Sequence, residues 1–229
     1  MSHYRAYPSY VDSGVPWIGK MPSHWNVSLL KNLASGEDGT LFIDGDWIET
    51  RHISTEGVRY LTTGIVGEGS YKEQGAGYIS PATFEELRCT EVLPGDLLIS
   101  RLNMPIGRCC VVPDLGTKVV VSVDVVICRL NSKAEKQYLR FRLSALDYFH
   151  ETEILASGAT MQRISRTELG NIRLALPPIS EQRAIVAALA RETARIDALI
   201  AKKAEFIDLL GKKRQALITR AVTKGLNPK

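Results

Sequence analysis

Three polar loops carry the side chains of this chain that are best suited to recognising a ligand: residues 67–78, 100–108 and 157–166. Arg can form two parallel hydrogen bonds to guanine in the major groove of DNA, and Gln or Asn can do the same to adenine. Lys and Arg can otherwise hold phosphate groups. Any one of these residues could be a solvated loop residue, but three loops of the same character favour a nucleic-acid contact. The predicted contact residues are Lys72, Gln74, Arg101, Asn103, Arg108, Gln162 and Arg163.

The chain carries no catalytic constellation that stands out. Its four histidines are scattered without metal-ligand spacing, and the Gly-rich stretch from Gly64 to Gly69 lacks the Lys of a phosphate-binding loop. The GxSxG nucleophile motif and the Asp/Asn-Pro-Pro-Tyr/Phe tetrapeptide of amino-methyltransferases do not occur. We therefore expect a binding module with no catalytic residues, metal or cofactor of its own. The alternative is a stand-alone DNA-modifying enzyme with an unrecognised site.

Short strands must position these loops. Runs rich in β-branched residues, divided by turn signals such as Pro94-Gly95-Asp96, predict a strand-rich mixed globule over residues 1–179. The predicted strands are 41–43, 57–66, 96–102, 109–112, 118–130 and 171–176, and the predicted helices are 81–87, capped by Ser80, and 134–154.

A second domain, residues 180–229, is predicted to be one long helix. Pro177 and Pro178 end the globule, Ser180 can cap the helix, and Glu181 suits its positive end. From there the sequence contains no Pro and one Gly before Gly225. That gives about 44 helical residues and about 65 Å of length. The fold class is therefore α+β, a globule followed by a long C-terminal helix.

The helix carries an apolar seam at heptad spacing, so it must pack along another long helix. Polar residues within the seam, such as Thr193 and Lys203, are typical of positions that set register and partner choice. A coiled-coil interaction adaptor is therefore a further alternative function. The predicted partner-helix residues are Val186, Leu189, Ile196, Ile200, Ile207, Leu210 and Leu217.

Charge and composition support a cytoplasmic protein with an acidic or nucleic-acid partner. The net charge is +4, but residues 180–229 hold 11 Lys/Arg against 5 Asp/Glu, whereas residues 1–179 hold 18 against 20. A basic helix attracts nucleic acid or an acidic protein surface. The sequence has no membrane-spanning apolar run and no signal peptide, and its four cysteines form no CxxC pair, as expected for reduced core thiols.

Five segments of the chain have a familiar character when they are taken together. They are VPWIGKMPSHW (15–25), RYLTTGIVGEGSYKEQGAGYIS (59–80), VLPGDLLISRLNMPIGRCCVV (92–112), SGATMQRISRTELGNIRLALPPISEQRAIVAAL (157–189) and ITRAVTKG (218–225). They resemble the specificity (S) subunit of type I restriction–modification systems. The motif PPxxEQ followed by a long helix is fairly specific to that family, and the resemblance covers nearly the whole chain.

The resemblance implies a target recognition domain that reads one half of a split site in double-stranded DNA. It also implies a spacer helix that forms an antiparallel coiled coil and docks methyltransferase (M) and restriction (R) subunits. S-adenosylmethionine would belong to the M subunits, and ATP and Mg²⁺ to the R subunits, so this chain would be a non-catalytic subunit.

One departure from the family bears on assembly. Members usually carry two recognition domains and two spacer helices, whereas this chain has one of each. It is therefore either a half-length S protein or the first half of a longer one, and in both cases the seam needs a partner. We expect a homodimer through antiparallel packing of residues 180–223.

Overall fold

A computed structural model of the chain describes residues 6–74, 77–158 and 161–226. The predicted loops at positions 75–76 and 159–160, and the last three residues of the predicted helical domain, lie outside the described residues. The chain divides into two compact units, Met1–Arg183 and Ala184–Lys229. None of the helices in the described ranges combines the length and apolarity that a membrane span requires.

Short strands and helices make up the first unit, and the long helix follows, so the predicted α+β class is confirmed. The strands are β1 Tyr10–Asp12, β2 Lys20–Pro22, β3 Asn26–Leu29, β4 Leu41–Asp44, β5 Ile53–Ser54, β6 Val58–Leu61, β7 Gly77–Ile79, β8 Leu97–Ser100, β9 Cys109–Val111, β10 Val119–Val121, β11 Val125–Arg129 and β12 Arg173–Leu176. The α-helices are α1 Pro81–Glu86, α2 Lys136–Arg142, α3 Leu146–Leu155, α4 Arg166–Asn171 and α5 Ile179–Lys224. Short 3-10 helices span Leu30–Ala34, Thr50–His52 and Thr63–Ile65.

Two four-stranded sheets form the centre of the first unit. One has the order β10-β6-β7-β5, with β10 parallel to β6, and the other has the antiparallel order β4-β11-β8-β9. Apolar side chains from both sheets, among them Leu61, Leu98, Val121 and Ile127, share one buried cluster. Successive strand residues point to opposite faces, so β6 and β10 also send Val58 and Val120 to a second cluster. The sheets thus supply the rigid scaffold from which the polar loops project.

Two predicted elements are each divided in the structure, and these are corrections. The predicted strand 118–130 becomes β10 in one sheet and β11 in the other, because a tight turn at Ser122, with Val125 N–H donating to its carbonyl at 2.9 Å, sends the chain between sheets. The predicted helix 134–154 becomes α2 and α3, which are separated at residues 143–145. The predicted cap of α1 is confirmed, since the Ser80 hydroxyl accepts from Thr83 N–H at 3.0 Å.

The long helix α5 has 46 residues and begins at Ile179, so Ser180 lies in its first turn and is not its cap. The Glu181 carboxylate accepts hydrogen bonds from the Tyr7 hydroxyl and from Trp25 Nε1 at 3.1 Å, and it lies 2.8 Å from His24 Nε2. Burial raises the pKa of Glu181, but these hydrogen bonds more than offset that effect, so its pKa lies below its ordinary value. The same contact raises the pKa of Tyr7 to about 12.

The neighbouring Gln182 is fully buried. Its side-chain carbonyl accepts from Glu135 N–H at 2.8 Å, and its amide donates to the carbonyl groups of Lys133 at 2.9 Å and Pro177 at 2.8 Å. A buried amide with all of these partners satisfied is stabilising, whereas an unsatisfied one would be costly. The Glu-Gln pair of the PPxxEQ motif therefore fastens the start of α5 to the globule.

Candidate nucleic-acid interface

Arg108 connects the second predicted contact loop to the segment that leads into the first. Its Nε donates to the Val66 carbonyl at 2.7 Å and its terminal nitrogens donate to the carbonyls of Thr63 at 3.1 Å, Leu102 at 3.0 Å and Asn103 at 2.7 Å. Burial lowers the pKa of this guanidinium. Arg108 was predicted to contact nucleic acid, but its donors are committed to backbone carbonyl groups, and it fixes the shape of two loops.

The second and third loops are joined through their backbones. Leu102 forms a β-bridge with Arg163, and the Ile164 N–H donates to the Arg101 carbonyl at 3.1 Å. The third loop is also closed on itself, because Ser157 and Arg163 exchange backbone hydrogen bonds of 3.0 and 2.9 Å. The second and third predicted loops are therefore in direct contact, and the first begins immediately after Val66, whose carbonyl accepts from Arg108.

Arg101 lies beneath this site and is only 4% exposed. Its guanidinium donates to the carbonyls of Val123 at 2.8 Å and Ile164 at 3.3 Å, and its Nε lies 2.9 Å from Asp44 Oδ1. Burial lowers the pKa of Arg101, and the Asp44 carboxylate acts in the opposite direction. This burial argues against direct ligand contact by Arg101, which was a predicted contact residue, and indicates a role in holding its neighbours.

Two aspartates link buried Arg101 to arginines at the surface. Asp124 Oδ1 lies 3.9 Å from a terminal nitrogen of Arg101 and 2.9 Å from one of Arg163. Asp44 Oδ2 lies 3.7 Å from Nε of Arg166. The surface arginines are about half exposed, with 47% for Arg163 and 45% for Arg166. These five residues form an arginine cluster in which two half-exposed guanidinium groups, those of Arg163 and Arg166, each lie beside a carboxylate.

The other predicted contact residues, Lys72, Gln74, Asn103 and Gln162, are exposed. Asn103 has a φ of 63°, a left-handed conformation that Asn tolerates better than most residues. Lys72 packs closely over Gly67, where an added Cβ would come within 2.8 Å of Lys72 Cε and 2.7 Å of the Ser70 carbonyl oxygen. A side chain at position 67 would therefore displace both the loop backbone and the lysine.

The described part of the chain shows no cluster of three or more His, Cys, Asp and Glu side chains that could hold a metal ion. The four cysteines are buried free thiols. Burial raises the pKa of Cys89 to about 11 and that of Cys110 to about 12, so both stay protonated near neutral pH.

The chain is similar to known type I specificity subunits in sequence and in structure. It is 24% identical over 215 residues to a curated protein named as the type I restriction enzyme MjaX specificity subunit of Methanocaldococcus jannaschii, covering 91% of this chain and 48% of that protein. The HsdS subunit from Thermoanaerobacter tengcongensis superposes with a TM-score of 0.64 at 21% identity, over 95% of this chain and 48% of that one. The chain has the fold of a type I specificity subunit.

A chain from a structural study of complex assembly and conformational transition in a type I restriction–modification system is also similar, with a TM-score of 0.69 at 23% identity. That match covers 90% of this chain and 47% of the other. No protein-family model matches the chain. The resemblance predicted from the sequence is confirmed, and the chain spans about half the length of the specificity subunits that it matches.

Sequence reasoning missed three residues of the arginine cluster in this specificity-subunit fold. Asp44 directly follows the predicted strand 41–43, Asp124 fell inside the predicted strand 118–130, and Arg166 lay in the third loop but outside the predicted contact set. The turn at 122–124 has no Gly or Pro to reveal it. The one usable signal was Asp44-Gly45-Asp46, a turn sequence with two carboxylates at the end of a predicted strand.

Proposed function

We propose that this chain is the sequence-recognition subunit of a type I restriction–modification complex and reads one half of a bipartite site in double-stranded DNA. The observation that carries the proposal is the meeting of three polar loops, with their exposed amide and cationic side chains, on a specificity-subunit fold. The proposed contact residues are Lys72, Gln74, Asn103, Gln162 and Arg163, with Arg101 and Arg108 as the supports behind them.

In this proposal the exposed residues divide between two tasks. Arginine and amide side chains read base edges, and lysines hold phosphates and make binding dependent on salt concentration. The first unit has almost no net charge, so it would bind weakly by itself. Partner methyltransferase subunits would make most of the contacts with the DNA backbone that contribute affinity.

The proposed role is non-catalytic. M subunits would carry out methyl transfer with S-adenosylmethionine, and R subunits would carry out cleavage with ATP and Mg²⁺. This chain would determine the DNA sequence on which they act. Since it acts on DNA beside those subunits, we place it in the cytoplasm, where its buried thiols would remain reduced.

The second unit would be the assembly element. Six of its seven predicted seam residues are exposed, from 38% for Leu189 to 69% for Ile207, while Val186 is partly buried. An exposed apolar stripe of this kind is typical of an interaction surface. We propose that a second copy pairs with it in antiparallel orientation. The paired helices would then fix the distance between two recognition domains and offer a surface for M subunits.

Co-expression of the chain with a type I methyltransferase subunit, in a host free of adenine methylation, tests the proposal. Sequencing of modified bases should reveal methylated adenines within one bipartite motif, and the methyltransferase alone should give none. Replacing residues 26–176 with those of another specificity subunit should change the motif. An unchanged motif would instead support a coiled-coil adaptor, and methylation by this chain alone would support a stand-alone enzyme.

A further inference from the structure

We propose that Asp124 holds the Arg163 guanidinium in position to read a guanine in duplex DNA, and that buried Arg101 positions Asp124. This inference rests on the proposed function and adds to it the chemistry of one base contact. Asp124 and Arg101 would then determine sequence preference without touching the base that Arg163 reads.

Arg163 is held at both its backbone and its side chain. Its N–H and carbonyl form two hydrogen bonds with Ser157, at 2.9 and 3.0 Å, which fix the position of its Cα. One terminal nitrogen lies 2.9 Å from Asp124 Oδ1, while 47% of the side chain is exposed. This contact is an ion pair without hydrogen-bond geometry, and it engages only one end of the guanidinium, which has five N–H donors. Other N–H groups remain for a partner in solution.

Asp124 is in turn held by Arg101. It lies in the turn between β10 and β11, and its carbonyl accepts from the Arg101 backbone N–H at 2.9 Å. The Arg101 guanidinium also donates to the Val123 carbonyl at 2.8 Å. The Asp124 side chain is 25% exposed, whereas that of Arg101 is only 5% exposed. Buried Arg101 therefore fixes the position of the turn, and Asp124 in that turn restrains the Arg163 side chain at the surface.

The restrained orientation of the Arg163 guanidinium favours a base edge over a phosphate as its partner. A phosphate can be held by a mobile cation, but two parallel hydrogen bonds to guanine O6 and N7 require a guanidinium of fixed orientation. A carboxylate beside Arg163 would repel a phosphate. The same carboxylate suits a G·C pair, which presents the N4 amino group of cytosine as a donor. Arg166, whose ion pair with Asp44 is longer at 3.7 Å, lacks this close support.

The test is selection of binders from a random-sequence duplex library by the full chain in complex with a type I methyltransferase subunit, at low ionic strength, followed by sequencing. The wild type should enrich a motif with a guanine at a defined position. Arg163→Ala and Arg163→Lys should both lose that guanine preference, by roughly 5- to 150-fold. Asp124→Asn should weaken the preference at the same position, while its affinity for a fixed duplex of unrelated sequence stays equal or rises.

Asp147→Asn is the matched control, because it removes the same charge from an aspartate that pairs with Arg142 at 2.8 Å elsewhere in the first unit. It should keep the wild-type motif. Thermal unfolding of every variant confirms that the fold is retained. A wild type that enriches no motif overturns the proposed function and this inference with it. A wild-type motif that survives Asp124→Asn or Arg163→Lys overturns the inference alone.

Discussion

Three arginines near the candidate interface have different physical roles. Arg101 is buried against two carboxylates and two carbonyls, Arg108 donates to backbone carbonyls of two loops, and Arg163 is half exposed. Only Arg163 offers much of its guanidinium to solvent. The supporting arginines nevertheless decide its position, because they fix the turn and the loops around it.

We expect Arg101→Ala to destabilise the first unit by about 2 kcal/mol. The change leaves Asp44 and Asp124 without their buried cation, and fully buried pairs lose roughly 3–5 kcal/mol in such cases. Partial exposure of the two carboxylates reduces the penalty. Urea unfolding measures this effect. Arg163→Ala, which removes a surface ion pair, should cost under about 1 kcal/mol, and equal losses for both variants would contradict the assignment.

The sequence predicted three polar loops as the contact site, but it could not show which of their arginines are buried. Arg101 lies near the end of a predicted strand, whereas Arg108 and Arg163 lie in loops, but nothing in the neighbouring residues shows which side chain is buried. Burial of Arg101 depends on Asp44 and Asp124, which lie 57 positions before and 23 positions after it in the chain. Such long-range pairing becomes visible only when the strands that carry these residues are placed side by side.

At the scale of elements, the start of α5 is the best-defined junction. Glu181 accepts hydrogen bonds from side chains of the N-terminal segment, and Gln182 forms hydrogen bonds with the backbone just before α2. Consecutive helix residues therefore contact different parts of the globule. The sequence placed the helix correctly because two prolines and a long Pro-free run mark it. It assigned Glu181 only to the helix dipole, since its aromatic partners lie more than 150 residues away.

Glu181→Gln should destabilise the wild-type fold by about 1 kcal/mol at pH 7. The folded pKa of Glu181 is below its ordinary value, so its stabilisation is present above about pH 4.5 and is lost as the pH falls through the folded pKa. The difference between wild type and variant should therefore shrink in acid. Chemical unfolding at several pH values measures this difference.

Glu192→Gln is the matched control for that experiment. It changes a glutamate of the same helix whose arginine contacts, at 3.7 and 4.0 Å, lie at the surface. It should change stability little at any pH. A pH-independent difference for Glu181→Gln would show that charge on Glu181 contributes nothing to the junction.

The predicted strand 118–130, which is divided in the structure, shows what a hydrophobic pattern fails to predict. Residues 118–130 are mostly apolar, with continuous apolar runs at 119–121 and 125–128, yet the chain passes from one sheet to the other between them. Both halves are buried, so both need the same apolar composition, and the turn between them uses no Gly or Pro. A pattern of hydrophobicity reports burial reliably, but it does not report which sheet a strand joins.

At the scale of the whole molecule, the proposed function assigns recognition to the first unit and assembly to the second. The first unit carries the polar loops and almost no net charge, whereas residues 180–229 carry the excess positive charge and the exposed seam. A domain that reads bases gains specificity when it does not bind DNA strongly through charge alone. Separation of charge from recognition is therefore consistent with a reader that depends on its partners for affinity.

The seam makes the sharpest prediction at this scale. We expect light scattering after size exclusion to give twice the mass of one chain at micromolar concentration. Ile200→Glu combined with Ile207→Glu should return a monomer, because each buried isoleucine contributes about 1.5–3 kcal/mol and glutamates in an apolar seam are desolvated without partners. Ala198→Glu combined with Ala201→Glu adds the same charge outside the seam and should leave the dimer intact. A wild-type monomer, or a dimer that survives the seam substitutions, would exclude pairing through these residues.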